Sequence, residues 1–298
     1  ARRSQCTNNL KQWGLAVANH LSTKDELPAG VTQANVGGRF QGQTFFVALL
    51  PYIEMQSAYS QWNKTTLAKN SLTASSPPAL RGGAFLSPSD QPAEPLVNFA
   101  TPGPGIPGGN HGIAFPGFYG ITSYAGNHGT RNYYPTAIPR VTGELNPNGI
   151  FFTTGPNSSP NLNQTPISIR EIVDGTSNTI LMGEKVTFDP IFDSMPEGNR
   201  SGLLIHQWGM WGWTGGFKGL GHVTRSSFQP INYQLPPSCA GSSNYDCQDN
   251  RLQGWSSFHA GGAVFVFCDG STRFLADSTS PIVLAALSTR AGEEVLVE

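Results

Sequence analysis

The chain has 298 residues, enough to bury a sizeable core, yet only 12% of them are charged and the formal net charge is −1. A surface built to neutralise phosphate needs clustered Lys and Arg, so this balance excludes a nucleic-acid partner. No apolar run approaches the roughly 20 residues of a membrane helix, and 35 Gly and 23 Pro, with abundant Asn, Ser and Thr, describe a loop-rich, largely β, extracytoplasmic chain.

Leu10, Trp13 and Val17 keep helical spacing in a stretch free of Pro. They predict a helix from Ala1 to about Leu21 that Pro28 and Gly30 stop from running far beyond Asp25. A shorter helix is expected over residues 44–58, where Phe45, Phe46, Leu49, Leu50 and Ile53 are apolar and Pro51 must sit at a boundary or a kink. Residues 71–120 are rich in Pro and Gly and predict an irregular segment lying along the surface. From Tyr119 onward short strands are expected at 150–152, 179–182, 203–213, 263–268 and 272–275, with a short helix over 281–288. In the strand at 203–213, His206, Trp208 and Met210 would face one side and Trp211 and Trp213 the other. One face then belongs to a core; the other could stack on a sugar ring or pack against a neighbouring subunit.

The C-terminal region carries the most specific pattern. Phe258-His259-Ala260-Gly261-Gly262 leads into the apolar run from Ala263 to Cys268, then Asp269-Gly270, then the mixed run from Ser271 to Leu275, a hairpin signature. A six-residue strand rising ~3.3 Å per residue would hold His259 and Asp269 roughly 15–20 Å apart, which separates their tasks. Asp269 and Gly270 shape the turn, and His259 is expected to hydrogen-bond the Gly261-Gly262 lead-in. Gly103-Pro104-Gly105-Ile106-Pro107-Gly108 has the spacing of a dinucleotide-binding loop, but its prolines fit neither the preceding strand nor the following helix that such a loop needs.

No nucleophile elbow, zinc-protease helix, phosphate loop or EF-hand spacing is present, so no enzyme is expected. A hydrolase drawing on Asp90, Asp174, Glu184 or Asp269 would need two of these carboxylates to converge. Asp174-Gly175-Thr176-Ser177-Asn178-Thr179 concentrates oxygen donors. It is either a turn bonding its own backbone or a calcium site with Asp174, Asn178 and Glu184 as ligands. Calcium is the sole cofactor considered; otherwise none is expected. Cys239 and Cys247 bracket a short polar loop and are the expected disulfide, there being no Cys-x-x-Cys pair for zinc.

His259, nine intervening residues and Asp269-Gly270 also resemble the C-terminal signature of a large, poorly characterised group of prepilin-like proteins best known from planctomycete bacteria. Five further blocks resemble that group in order: residues 1–12, Leu50-Pro51-Tyr52-Ile53-Glu54, Ser87-Pro88-Ser89-Asp90, residues 174–179 with Glu184, and residues 286–292. The resemblance implies an α+β fold in which a pilin-like helix, its C-terminal part at residues 1–25, packs on an antiparallel sheet with a large loop-rich β insertion. Residues 26–298 would form the extracellular β-rich domain, irregular over 70–120 and ending in the hairpin and helix of 255–298.

A hydrophobic half-helix is expected immediately upstream of Ala1, the chain's one link to a membrane, with the domain at the cell surface. The function implied is a structural subunit of a pseudopilus or surface filament, assembling with its own copies through Leu10, Trp13 and Val17. The alternative is an extracytoplasmic module that binds glycans or other solutes. Relatives usually have Cys where this chain has Ser87; with that partner missing, the resemblance implies a Cys6–Cys268 bridge, the alternative being two free buried thiols.

Overall fold

The computed structural model describes residues 1–36, 39–92, 94–99, 117–131, 148–154, 166–200, 202–212, 222–241 and 245–293. The N-terminal helix α1 spans Arg2–Lys24 and ends where Asp25 turns left-handed, φ 59°, donating its N–H to the Leu21 carbonyl. Cys6, Leu10, Trp13 and Val17 recur at i, i+4, i+7 and i+11 and are at most 2% exposed, a single stripe facing the sheet. The expected helix over 44–58 is divided into helical turns at Phe45–Leu49, Leu50–Ile53 and Gln56–Gln61. Pro51 occupies the first turn of the middle piece, and Glu54, at φ 62°, breaks it from the last.

Strands β1 (Val31–Val36) and β2 (Arg39–Thr44) form an antiparallel pair, and β3 (Leu96–Asn98) pairs likewise with β4 (Phe118–Gly120). The main sheet comprises β5 (Tyr124–Gly129), β7 (Ile180–Glu184), β8 (Thr224–Ser226), β9 (Gly262–Phe267) and β10 (Thr272–Ala276), while the short β6 (Thr153–Thr154) lies parallel to β1. The strand order of the main sheet is β10-β9-β7-β5-β8, antiparallel except between β5 and β8. This is the α+β architecture, helix on sheet with loop-rich insertions.

Strand β9 explains how the layers hold. Val264 and Val266 point into the cluster that contains Leu10, Trp13 and Val17; Ala263, Phe265 and Phe267 point the other way, into a cluster with Trp255 and Leu284. Each fully buried Val, Leu or Phe contributes roughly 1.5–3 kcal/mol, so a strand used on both faces ties helix, sheet and C-terminal helix (Pro281–Ala286) into one unit. A Cβ on Gly14 would lie 2.8 Å from Val266 Cγ2 and 3.8 Å from Gly270 Cα, so α1 and the end of β9 approach almost backbone to backbone. The turn after β9 closes with Gly270 N–H on the Phe267 carbonyl (2.9 Å) and Phe267 N–H on the Ser271 carbonyl (2.8 Å), Gly270 at φ 82° supplying the left-handed residue of a three-residue loop.

Three expectations change. Residues 203–212, the described part of the expected strand, are not a strand: Ile205–Gly209 is a 3-10 turn, Trp208 and Trp211 are both buried, and the alternation of faces fails. Trp211 stacks on Phe85 at 4.6 Å and donates from Nε1 to the Leu80 carbonyl at 2.8 Å, so its ring belongs to the core. Residues 150–152 are buried outside any strand: the N–H groups of Ile150 and Phe151 both reach the Asn127 carbonyl, and only the Phe152 carbonyl turns to β1, accepting the Val31 N–H at 3.2 Å. The described part of 71–120 lies along the surface only in places: Leu72 is 62% exposed, but Pro77, Pro78, Ala79 and Ala84 are buried, as is Phe85. Trp13 Nε1 holds this segment by donating to the Ala84 carbonyl at 2.8 Å. Trp213 and Gly103 to Gly108 lie outside the described residues. Among the described residues no helix is long and apolar enough to cross a membrane.

Candidate functional site

Four segments meet where β9 begins. Cys6 comes from the second turn of α1, on the same stripe as Leu10. Asn9, beside it, donates through Nδ2 to the Leu86 carbonyl and to the Tyr124 hydroxyl, both at 3.1 Å, which draws the next segment against the helix. That segment is Ser87-Pro88-Ser89-Asp90, a turn closed by Asp90 N–H on the Ser87 carbonyl at 3.0 Å with Pro88 at its second position. The Asp90 carboxylate anchors the turn by accepting from Thr187 N–H and Oγ1, at 3.2 and 2.8 Å. Glu184 ends β7 opposite Tyr124 and is 1% exposed. His259 precedes β9, its side chain 9% exposed.

The side chains converge closely. Cys6 Sγ is 3.0 Å from Ser87 Oγ and 3.3 Å from His259 Nε2, which is itself 3.3 Å from Glu184 Oε1. Glu184 Oε2 accepts the Val264 N–H at 2.8 Å, leaving Oε1 turned into the cluster. His259 Nδ1 is 3.4 Å from Ser89 Oγ, so the ring's other nitrogen faces Cys6 and Glu184. Burial pushes the Cys6 thiol up to about 11; the Ser87 hydroxyl offsets part of this and the Glu184 charge adds to it. One donor atom each from Cys6, Glu184 and His259 lies within 4.8 Å of the others, a spacing that a single metal ion can bridge. The expectation of no cofactor, with calcium the sole candidate, is therefore corrected: the candidate metal-ligating set is sulfur, nitrogen and one carboxylate, and calcium takes six to eight oxygens.

The predicted residues divide between this cluster and other tasks. Asp174 and Asn178 do not join Glu184. The Asp174 carboxylate accepts from Thr289 Oγ1 (3.1 Å), Gly292 N–H (2.7 Å) and Glu293 N–H (2.8 Å), binding one of the family-like blocks to another. Asn178 Nδ2 returns to the Asp174 carbonyl at 3.2 Å, the turn that bonds its own backbone. Asp269 Oδ1 accepts Ser271 N–H at 2.8 Å across the turn after β9. His259 does not hold the Gly261-Gly262 lead-in; Ser257 does, its Oγ donating to the Gly262 carbonyl at 2.6 Å and accepting His259 N–H at 3.0 Å, with Gly261 left-handed at φ 79°.

Cys239 and Cys247 are joined in a disulfide. Cys6 and Cys268 are free thiols, which corrects the expected bridge: β9 lies between them, Cys6 beside its lead-in and Cys268 just past its end, roughly 20 Å of extended strand. Ser87, expected from the resemblance to stand in the place of a missing cysteine partner, does touch Cys6. Sequence reasoning misses Ser87 and Ser89 as site residues and weighs Cys6 only as a disulfide half. The place of Cys6 one turn before Leu10 on the buried stripe is the signal available.

Two other polar features are built differently. Lys185, next to Glu184, is buried and donates through Nζ to the Trp208 and His222 carbonyls; burial holds its pKa well below the ordinary value. A recess of about 130 Å³ lined by His20, Glu26, Thr32, Gln43 and Thr44 sits beyond the other end of α1, and is well under the ~300 Å³ at which small-molecule pockets begin.

A family model described as SBP_bac_10, Protein of unknown function (DUF1559), matches residues 1–281. The chain belongs to this family. The match agrees with the planctomycete-type prepilin-like resemblance carried by the six blocks. No curated protein and no solved structure matches the chain. SBP_bac_10 denotes a bacterial solute-binding family, and this overturns the expectation of a pseudopilus or filament subunit. The physical side agrees: Leu10, Trp13 and Val17, expected as the face for self-association, are spent on the chain's own core.

Proposed function

We propose that this protein is a solute-binding module that works outside the cytoplasm without catalysing a reaction, and that its binding centre is the cluster of Cys6, Glu184 and His259. The observation that carries the proposal is convergence: residues from α1, the end of β7 and the approach to β9 bring three chemically different ligand atoms within 4.8 Å. The solute-binding family label supports the class of function. The Cys239–Cys247 disulfide supports an oxidising compartment. A glycan finds little support, because Trp208 and Trp211 offer no open ring face.

The test is a thermal-shift screen of the disulfide-intact protein against sugars, amino acids, inorganic anions and divalent cations. A true solute at a hundred times its Kd stabilises by about 2.7 kcal/mol, roughly 5 °C for a chain of this size. The shift is expected to saturate and to disappear in His259→Gln, whose side chain is the least buried of the three. A screen without any saturating shift, or a shift that survives in both His259→Gln and Glu184→Gln, overturns the assignment.

A further inference from the structure

We infer that the solute is a borderline divalent transition metal, Zn²⁺ foremost, held by Cys6 Sγ, His259 Nε2 and Glu184 Oε1. The inference rests on the cluster being the binding centre and goes further by naming what it binds.

The distances suit a ligand set. A charged N–H···O pair closes to about 2.7–2.9 Å, whereas His259 Nε2 stands 3.3 Å from the Glu184 oxygen and 3.3 Å from the Cys6 sulfur, and Ser87 Oγ is 3.4 Å from the same Glu184 oxygen. One ring nitrogen faces two partners: 3.3 Å is an ordinary distance to sulfur, but it is long for a charged N–H···O bond, so the nitrogen does not close on Glu184. Nitrogen, oxygen and sulfur placed about 2.0–2.3 Å from a tetrahedral cation lie about 3.3–3.6 Å from one another. The spacing of Nε2 to both partners is close to that geometry.

The donor set selects the cation. Thiolate with imidazole favours zinc and its neighbours over calcium or magnesium, which take oxygen. A thiolate and a carboxylate together neutralise a dication in a buried centre, which three neutral ligands would leave charged. The supporting bonds are already made: Val264 N–H holds the far oxygen of Glu184, and the Ser89 hydroxyl stands by His259 Nδ1, the arrangement that presents Nε2 to a metal. Three protein ligands leave a fourth position beside Ser87 Oγ for that hydroxyl or for water, the open arrangement of a centre whose occupant can exchange. Of the three ligands His259 lies nearest the surface, its side chain 9% exposed against 2% for Glu184, next to Phe258 at 48%.

The test uses the full chain, freed of metal by chelator with its disulfide intact, and titrated with Zn²⁺ by calorimetry and with Co²⁺ by absorbance. One equivalent of Co²⁺ is expected to give a sulfur-to-cobalt charge-transfer band and the intense visible bands of tetrahedral cobalt. Cys6→Ser should abolish the charge-transfer band, His259→Gln should weaken binding at least about 100-fold, and Ser89→Ala about 10-fold. Cys268→Ser should leave the spectrum unchanged. Absence of one-equivalent binding by either ion, or binding indifferent to Cys6→Ser and His259→Gln, overturns the metal assignment. If metal fails while another solute still gives a shift that His259→Gln removes, the metal identity falls and the binding-module proposal stands. If nothing binds, both fall.

Discussion

The two ends of β9 are built from the same kind of material and behave differently. At its far end, Asp269, Thr176, Asp174 and the C-terminal block are joined by backbone donors: Asp269 N–H to the Thr176 carbonyl at 3.0 Å, and Gly292 and Glu293 N–H to the Asp174 carboxylate at 2.7 and 2.8 Å. At its near end Cys6, Ser87, Glu184 and His259 stand side by side at 3.0–3.4 Å, with ligand atoms facing one another. A carboxylate saturated by peptide N–H groups is finished as a structural element. Thiol, imidazole and carboxylate atoms that face one another within reach of a single ion have chemistry still to do.

The largest test of this contrast is Ser87→Cys. With the Ser87 Oγ already 3.0 Å from Cys6 Sγ, a thiol in its place is expected to form a disulfide with Cys6 when treated with oxidised glutathione, which leaves as two reduced glutathiones. Closing that loop of roughly 80 residues should stabilise by about 4 kcal/mol while removing solute binding. Thiol titration and chemical denaturation read the two effects; a variant that keeps all its thiols and still binds would break the comparison.

Acid should act through a buried group close to the finished end. Burial lowers His128 to about 4, with the nearby Arg290 charge acting the same way and the bond to the Arg131 carbonyl opposing it. The unfolded chain takes up a proton below about 6.5 and the folded chain does not, so this group's contribution is whole above 6.5 and lost as pH falls towards 4, about 3 kcal/mol in all. Asp249, raised by burial to about 6, acts in the opposite sense: it stabilises as pH falls through 6 towards 3.8 and flattens the wild-type curve. The comparison is therefore between wild type and His128→Gln in urea at successive pH values. The wild type is expected to lose ground to the variant between 6.5 and 4; parallel curves would refute a neutral buried His128.

The smallest of the three effects is Asp174→Ala. It removes an acceptor used three times, at a partly exposed position, and should cost about 2 kcal/mol. Solute binding at the near end should be untouched. A matching loss of binding would mean that the two ends are one unit.

The parts of the fold that the sequence makes legible have local periodicity. Leu10, Trp13 and Val17 define α1, and Ala263 to Cys268 with Asp269-Gly270 define the hairpin. Strands β1 and β2, with few apolar residues in VTQANV and RFQGQT, give no such pattern. Residues 203–213 give a false one, because Gly209 and Gly212 let the chain pack against the Ile121 and Pro78 side chains, and Trp208 and Trp211 are buried whatever the alternation. The site is the least legible part. Its members stand at positions 6, 87, 89, 184 and 259, and only the packing of α1 along β9 brings them together. Glu184 shows itself as a carboxylate closing an apolar strand, but nothing local tells whether its partner is Asp174, ten residues before it, or His259, seventy-five after it.

Because Cys6 lies at the lead-in of β9 and Gly14 near its end, α1 and β9 run in the same sense. The arrangement has a mechanical consequence. Tension drawn through Ala1 would lift α1 from its first turns, and after Arg3 on the Phe274 ring the contacts to bear the load are those of Cys6 with Ser87 and His259, ahead of Leu10, Trp13 and Val17. The binding centre sits where a pull on the chain's start would enter the domain, so an ion held there would act as a rivet at the edge of the seam.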